Sequence, residues 1–123
     1  MSMLSHNVIG CAIQVHRKLG PGLLESVYEA CLSYELTQAG IYHERQKPMP
    51  ITYGDVSLDA GYRLDLWVED ELIIELKAVE SLLPLHTAQL MTYLRLANRR
   101  LGLLINFNVS VLSHGVKRVA NGY

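Results

Sequence analysis

Two acidic residues within the segment 63–77 are spaced so that they can share a metal-binding or catalytic site. The segment, RLDLWVEDELIIELK, alternates apolar and polar residues on both sides of a polar loop, which predicts a β-hairpin with a loop at 69–71. In that register Asp65 lies opposite Glu75, with the two Cβ atoms roughly 5 Å apart. Two ionised carboxylates about 4 Å apart repel by about 4 kcal/mol at an effective dielectric constant of about 20. A divalent cation or a shared proton would offset that repulsion.

The hydrophobic pattern of the hairpin selects this register over the adjacent one. A three-residue loop leaves one face wholly aliphatic, formed by the pairs Val68 with Leu72, Leu66 with Ile74, and Leu64 with Leu76. A two-residue loop would turn Glu75 to the face opposite Asp65 and bury the acid. Taken alone, the hairpin is equally compatible with a metal site and with a surface ion network in which Arg63 and Lys77 pair with the two acids.

Composition indicates a compact globular domain. The 123 residues are 50% hydrophobic and 19% charged, with a net charge of -1. A chain of this length buries roughly two-thirds of its unfolded surface, so we expect one domain over residues 1–123. The small net charge restricts nucleic-acid binding to a local groove. No apolar run approaches ~18 residues and no leader precedes the first helix, so we expect a cytoplasmic protein that does not enter a membrane.

The order of predicted elements is helix, helix, several strands, helix and strand. Apolar stripes predict helices at 6–19, capped by Ser5, at about 23–39 and at about 85–98. Extended patterns predict strands at 41–47, 49–53 and 56–60, then the hairpin, a buried strand at 101–107 and an edge strand at 116–119. The predicted fold class is therefore α/β, with a central mixed β-sheet flanked by α-helices.

Five short motifs accompany these elements in a fixed order and span most of the chain. They are GLLESVY at 22–28, YRLDL at 62–66, IELKAV at 74–79, HTAQLMTYL at 86–94 and GLLINF at 102–107. Together they resemble the PD-(D/E)XK nuclease superfamily and, within it, the small bacterial and archaeal proteins named for a GxxExxY motif. The resemblance implies a restriction-endonuclease-like core. Leu64 stands in place of the proline that names the superfamily. Many members lack this proline, and Leu64 serves the aliphatic face.

The resemblance implies a metal site on the hairpin. Asp65, Glu75 and the carbonyl oxygen of Leu76 would bind Mg²⁺ or Mn²⁺, and Glu25 would be a further ligand or would support a bound water. Oxygen ligands suit Mg²⁺, and the segment lacks the thiolate or imidazole set that zinc prefers. In the simpler interpretation, Glu25 is only an acid in the first turn of a helix, where the macrodipole stabilises it.

Three further residues gain catalytic roles by the same resemblance. Lys77 would orient the attacking water and stabilise charge on the phosphate. Gln89 and Tyr93 are four residues apart on one helical face, from which they would position Lys77, the water or the phosphate. In the simpler interpretation Lys77 forms an ion pair with Asp65 or Glu75, Gln89 is solvated and Tyr93 is half-buried. His86 and His16 are expected to be structural.

The resemblance therefore predicts a Mg²⁺- or Mn²⁺-dependent nuclease, acting on DNA rather than RNA. Because the chain has little beyond the core fold, a homodimer or a partner protein would have to supply specificity. The alternative is a non-catalytic module that retains the fold to bind nucleic acid or protein. A carboxylate-pair glycosidase is a third possibility, which Lys77 beside the pair and a composition with one Trp and one Phe both disfavour.

Overall fold

The computed structural model describes residues 3–59 and 61–122. Helices α1, α2 and α3 span Met3–Leu19, Glu25–Gln38 and Pro84–Ala97, and a short 3-10 helix spans Leu112–Gly115. The strands are β1 His43–Pro48, β2 Ile51–Tyr53, β3 Val56–Leu58, β4 Arg63–Val68, β5 Leu72–Lys77, β6 Leu101–Asn106 and β7 Val116–Ala120. The predicted strand at 56–60 ends at Ala60, which lies outside the described residues.

The five strands of the main sheet lie in the order β1-β4-β5-β6-β7. The neighbours β5 and β6 are parallel and the other neighbours are antiparallel, so the sheet is mixed. One core packs α1 and α2 against one face of the sheet, and a second core packs α3 against the other. This architecture confirms the predicted α/β class. Strands β2 and β3 form a separate two-stranded sheet.

Helix α3 packs closely on the neighbouring strand β6. A Cβ atom at Gly102 would lie 3.0 Å from a methyl group of Leu90, so a glycine at this position permits the close approach. Helix α3 connects the parallel strands β5 and β6, as a parallel pair requires. None of the helices in the described part of the chain is long and apolar enough to cross a membrane.

Two local predictions about the helices and the hairpin are wrong. Ser5 does not cap α1, because the helix begins at Met3 and Ser5 is buried within it. Leu64 packs in the second core with Trp67, and not on the aliphatic face with Leu66. The paired register of β1 and β4 skips Gln46 opposite Asp65, and Gln46 has a φ of 49°. A left-handed residue interrupts the side-chain alternation of its own strand, here β1. The neighbouring strand β4 changes face beside it, between Leu66 and Leu64.

Candidate active site

The hairpin has the predicted register near its loop and then opens at the acids. The pairs Val68 with Leu72, Trp67 with Ile73 and Leu66 with Ile74 confirm the three-residue loop. Beyond the last pair, the backbone N–H of Leu76 donates to Oδ2 of Asp65 at 2.8 Å. The backbone N–H of Asp65 in turn faces Oε1 of Glu75 at 3.3 Å. Side-chain carboxylates therefore take the place of backbone carbonyls where the two strands separate.

Glu75 is the most strongly perturbed acid of the site. It lies on a central strand, and only 6% of its surface is exposed. Burial, followed by the negative charge of Asp65, raises the pKa of Glu75 to about 9. Without a cation nearby, Glu75 therefore holds a proton at neutral pH. Protonation of Glu75 thus avoids the repulsion that two ionised acids would have in this pair.

A cleft of about 440 Å³ opens between α2 and the separated strands. Six residues line it: Glu25, Ser26, Glu29, Gln46, Asp65 and Leu76. Glu25 is the first residue of α2, as predicted for a first-turn acid. Burial, and then the charge of Asp65, raises the pKa of the Glu25 carboxyl. The carboxylates of Glu25 on α2 and Asp65 on β4 thus repel each other across this cleft.

The acid pair offers the ligands of a hard divalent cation. Asp65 and Glu75 can supply carboxylate oxygens, and the carbonyl of Leu76 can supply one more. The cleft beside them has room for water molecules as further ligands. Across residues 3–59 and 61–122, no three His, Cys, Asp or Glu side chains lie close enough together to hold a metal ion. The charge of Asp65 therefore acts on Glu25, but Glu25 does not form a three-carboxylate cluster with Asp65 and Glu75. The donor chemistry fits Mg²⁺ or Mn²⁺ with a partly hydrated shell.

Lys77 ends β5 and is half-buried. Its positive charge lowers the pKa of Glu75, although burial and Asp65 have larger effects in the opposite direction. Lys77 takes part in none of the ion pairs formed by the described residues, so the ion-pair interpretation is not the one observed. The carbonyl of Lys77 accepts a hydrogen bond from Phe107 N at 2.9 Å, which fixes the strand end.

Tyr93 approaches the pair from α3, on the other side of the sheet. It is 9% exposed and packs in the second core with Leu64, the residue before Asp65. Burial raises the pKa of Tyr93, and the charge of Glu75 is the next largest cause. Gln89 lies one turn before Tyr93, and both line a second cleft. Within the described part of the chain no hydrogen bond joins Gln89 to the acids.

Two residues that sequence reasoning missed contact the site from α2 and β1. Glu29 is 7% exposed and accepts hydrogen bonds from Arg45 and Gln46. The same amide of Gln46 lies 3.3 Å from Oδ1 of Asp65, so it links Glu29 to the acid pair. The spacing of Glu29 from Glu25 gave a signal, because residues four apart share a helical face. Gln46 gave none, because its position follows from strand pairing and a left-handed backbone.

The tyrosine of the GLLESVY motif is structural. Tyr28 is fully buried, and its hydroxyl donates to Gly20 O at 2.6 Å and accepts from Leu23 N at 3.1 Å. Its ring stacks on Phe107 with the centroids 4.5 Å apart. Tyr28 thereby fixes residues 20–24, the elbow between α1 and α2, and this elbow places Glu25 at the cleft.

The two histidines have the structural roles expected of them. Nδ1 of His86 accepts a hydrogen bond from Leu83 N at 3.0 Å, at the start of α3. Nε2 of His16 lies 2.7 Å from the carbonyl oxygen of Val109. Neither belongs to the lining of the acid cleft.

Comparison with known proteins agrees with this geometry. A family model that describes the PD-(D/E)XK nuclease superfamily matches residues 2–119, nearly the whole chain. Searches of curated proteins and of solved structures returned no match. Nucleases of this superfamily generally use divalent metal ions, in agreement with the donor chemistry of the acid pair. The chain belongs to the PD-(D/E)XK nuclease superfamily.

Proposed function

We propose that this protein is a metal-dependent nuclease that hydrolyses phosphodiester bonds in nucleic acid, with DNA as its substrate rather than RNA. The observation that carries the proposal is the acid pair, Asp65 and Glu75, at the point where β4 and β5 separate. Lys77 lies at the end of β5, two residues after Glu75. A buried glutamate paired with a partly exposed aspartate beside a lysine, on the fold of a nuclease superfamily, suits phosphoryl chemistry better than glycoside chemistry.

In the proposed mechanism Asp65, Glu75 and the carbonyl of Leu76 would hold Mg²⁺ or Mn²⁺. When bound, the ion would polarise the phosphate and favour ionised water as the nucleophile. Lys77 donates a hydrogen bond to the attacking water or to a phosphate oxygen, so its positive charge stabilises the negative charge of the transition state. Glu75 must release its proton before it can bind a cation, which couples site assembly to pH.

The remaining residues would orient these groups. Glu25 lies across the cleft from Asp65 and supports the hydrated side of the site. Tyr93 and Gln89 approach from α3 and position the phosphate or Lys77. The spacing of Gly22, Glu25 and Tyr28 supports membership of the GxxExxY group within the superfamily. Specificity would come from a second copy of the chain or from a partner protein.

The experiment is cleavage of labelled single-stranded and duplex DNA, and of RNA, with Mg²⁺, Mn²⁺ or EDTA. The variants are Asp65→Asn, Glu75→Gln and Lys77→Ala, and the control is Glu71→Gln, an exposed acid in the hairpin loop. Removing a group that stabilises transition-state charge costs about 100- to 1,000-fold in rate. We therefore expect metal-dependent cleavage of DNA that each site variant reduces by about 100-fold or more and that the control retains.

Calorimetric titration with Mn²⁺ separates binding from chemistry. Asp65→Asn and Glu75→Gln should abolish metal binding, whereas Lys77→Ala should keep the affinity and lose cleavage. Cleavage that survives in Asp65→Asn and Lys77→Ala would show that the activity belongs to another site or to a contaminant. Metal-independent binding of nucleic acid without cleavage would favour the alternative of a non-catalytic module.

A further inference from the structure

A second cleft, of about 360 Å³, lies between α3 and the chain segments next to β2 and β4. Its lining is mainly apolar and aromatic, and none of the described lining residues is charged. The residues that matter for its chemistry are Met49, Ile51, Tyr62, Gln89, Tyr93 and Leu96. Such a cleft does not suit a phosphate or another free anion, which would require positive charge or several N–H donors. It suits a flat, weakly polar group.

Two tyrosine rings form one side of this cleft. The ring centroids of Tyr62 and Tyr93 lie 6.3 Å apart and the rings are tilted by 54°. Tyr93 is buried, whereas Tyr62 leaves 48% of its surface exposed. The buried ring fixes the position of the pair, and the exposed ring offers surface for stacking. Aromatic rings of this kind bind any nucleobase, because every base has a π face.

One residue of the cleft, Tyr93, lies near the acid pair, because its pKa is raised by burial and then by the negative charges of Glu75 and Asp65. Tyr93 lines the cleft and packs in the same core as Leu64, which precedes Asp65. Tyr62 precedes Asp65 by three residues along the chain, a distance of about 10 Å in an extended strand. A nucleotide next to the scissile phosphate can therefore reach the tyrosines. The amide of Gln89 in the cleft can donate to or accept from the edge of a base.

We propose, building on the nuclease function above, that this cleft binds one unpaired base of a DNA strand whose phosphate lies at Asp65 and Glu75. A base within a duplex has both faces covered by its stacked neighbours, so only an unstacked base can lie against Tyr62. The substrate is then single-stranded DNA, or duplex DNA with a flipped or frayed nucleotide. The nearness of Tyr93 to the acid pair, an aromatic surface, an amide and an uncharged lining together favour this occupant over a peptide.

The test compares binding of two probes that differ only in their bases. One is a short labelled oligothymidine and the other is an abasic oligonucleotide of the same length. Fluorescence anisotropy is measured with Ca²⁺ in place of Mg²⁺, so that a cation is present at the acids, and a gel checks that both probes stay intact. Stacking of one base on an aromatic ring corresponds to about 5- to 100-fold in affinity. We expect the wild type to prefer oligothymidine by at least fivefold, and Tyr62→Leu to lose that preference while its affinity for the abasic probe stays unchanged.

Two matched variants identify the ring as the cause. Tyr62→Phe keeps the π face and should keep the preference. Tyr34→Leu removes another exposed tyrosine, on α2, and should also keep it. Equal unfolding midpoints for Tyr62→Leu and Tyr62→Phe would exclude loss of the fold. If the wild type binds both probes equally, the proposal is overturned even where metal-dependent cleavage is present.

The outcomes keep this inference separate from the proposed function. Base preference that depends on Tyr62, in a protein that cleaves nothing, would support the cleft and refute the nuclease. Tyr62-dependent binding of oligouridine without such binding of oligothymidine would overturn the assignment to DNA. A change of oligomeric state in Tyr62→Leu, with no base preference in the wild type, would show that a second copy of the chain occupies the cleft.

Discussion

Replacing Glu75 by glutamine should make the protein more stable at alkaline pH in the absence of metal. The folded state holds Glu75 protonated because burial and Asp65 raise its pKa from 4.5 to about 9. The unfolded chain releases that proton near the ordinary pKa, so unfolding between these values liberates a proton. The free energy of unfolding therefore falls as pH rises from the unfolded pKa toward the folded one. Below the unfolded pKa both states are protonated, and the contribution of Glu75 is fully present.

The size of the effect follows from the number of protons released. One proton per molecule changes the free energy of unfolding by about 1.4 kcal/mol per pH unit. Between about pH 5 and about pH 8 the wild type should therefore lose up to about 4 kcal/mol. That is a large share of the about 5–15 kcal/mol that stabilises a typical domain. Glu75→Gln keeps the shape of the side chain and cannot ionise, so most of this pH dependence should disappear.

Urea unfolding at several pH values in EDTA measures the effect, and the fluorescence of Trp67, the single tryptophan, reports it from within the second core. Glu71→Gln, which changes an exposed loop acid, is the control and should keep the wild-type slope. Adding Mn²⁺ at about pH 8 should restore stability to the wild type but not to Glu75→Gln. Equal slopes for the wild type and Glu75→Gln would refute the argument that the buried acid is protonated.

Two further predictions concern residues that hold the site in place. Gln46→Leu removes the amide between Glu29 and Asp65, so metal affinity should fall by about 10- to 100-fold, while Gln38→Leu, on an exposed part of α2, should not change it. Unchanged calorimetric affinity in Gln46→Leu would contradict the positioning role. Tyr28→Phe removes a hydroxyl that bonds to both sides of the elbow, which should cost about 1–3 kcal/mol in urea unfolding. A loss of unfolding free energy below a few tenths of a kcal/mol would mean that other contacts hold the elbow.

The sequence predicts those parts of the fold that follow from side-chain periodicity. The hairpin register was predictable because only one pairing keeps Leu66, Val68, Leu72 and Ile74 on a single buried face. Helix α3 and strand β6 were predictable for the same reason. Helix ends were harder, because α1 continues past Ser5 to Met3, and local capping preference is small beside the packing of a whole helix.

The parts of the site that the sequence did not predict depend on contacts between distant segments. Gln46 lies beside Asp65 because β1 pairs with β4. Its backbone is left-handed, a conformation that glutamine rarely adopts and that the sequence does not indicate. The second cleft includes Ile51 of β2, and no periodicity indicates that β2 pairs with β3 outside the main sheet. The prediction for the side-chain face of Leu64 was wrong because it assumed strict alternation along an uninterrupted strand.

The acid pair has a structural role as well as the proposed chemical one, and this determines which variants can separate the two. Oδ2 of Asp65 accepts the N–H of Leu76 in a buried part of the sheet, so an alanine at position 65 would leave that donor without its acceptor. An unpaired buried donor costs about 1–3 kcal/mol. Asparagine retains a carbonyl oxygen for this N–H but lacks the negative charge that binds a cation. Loss of cleavage in Asp65→Asn, with the unfolding midpoint preserved, can therefore be attributed to charge, whereas the same loss in Asp65→Ala could follow from a damaged sheet.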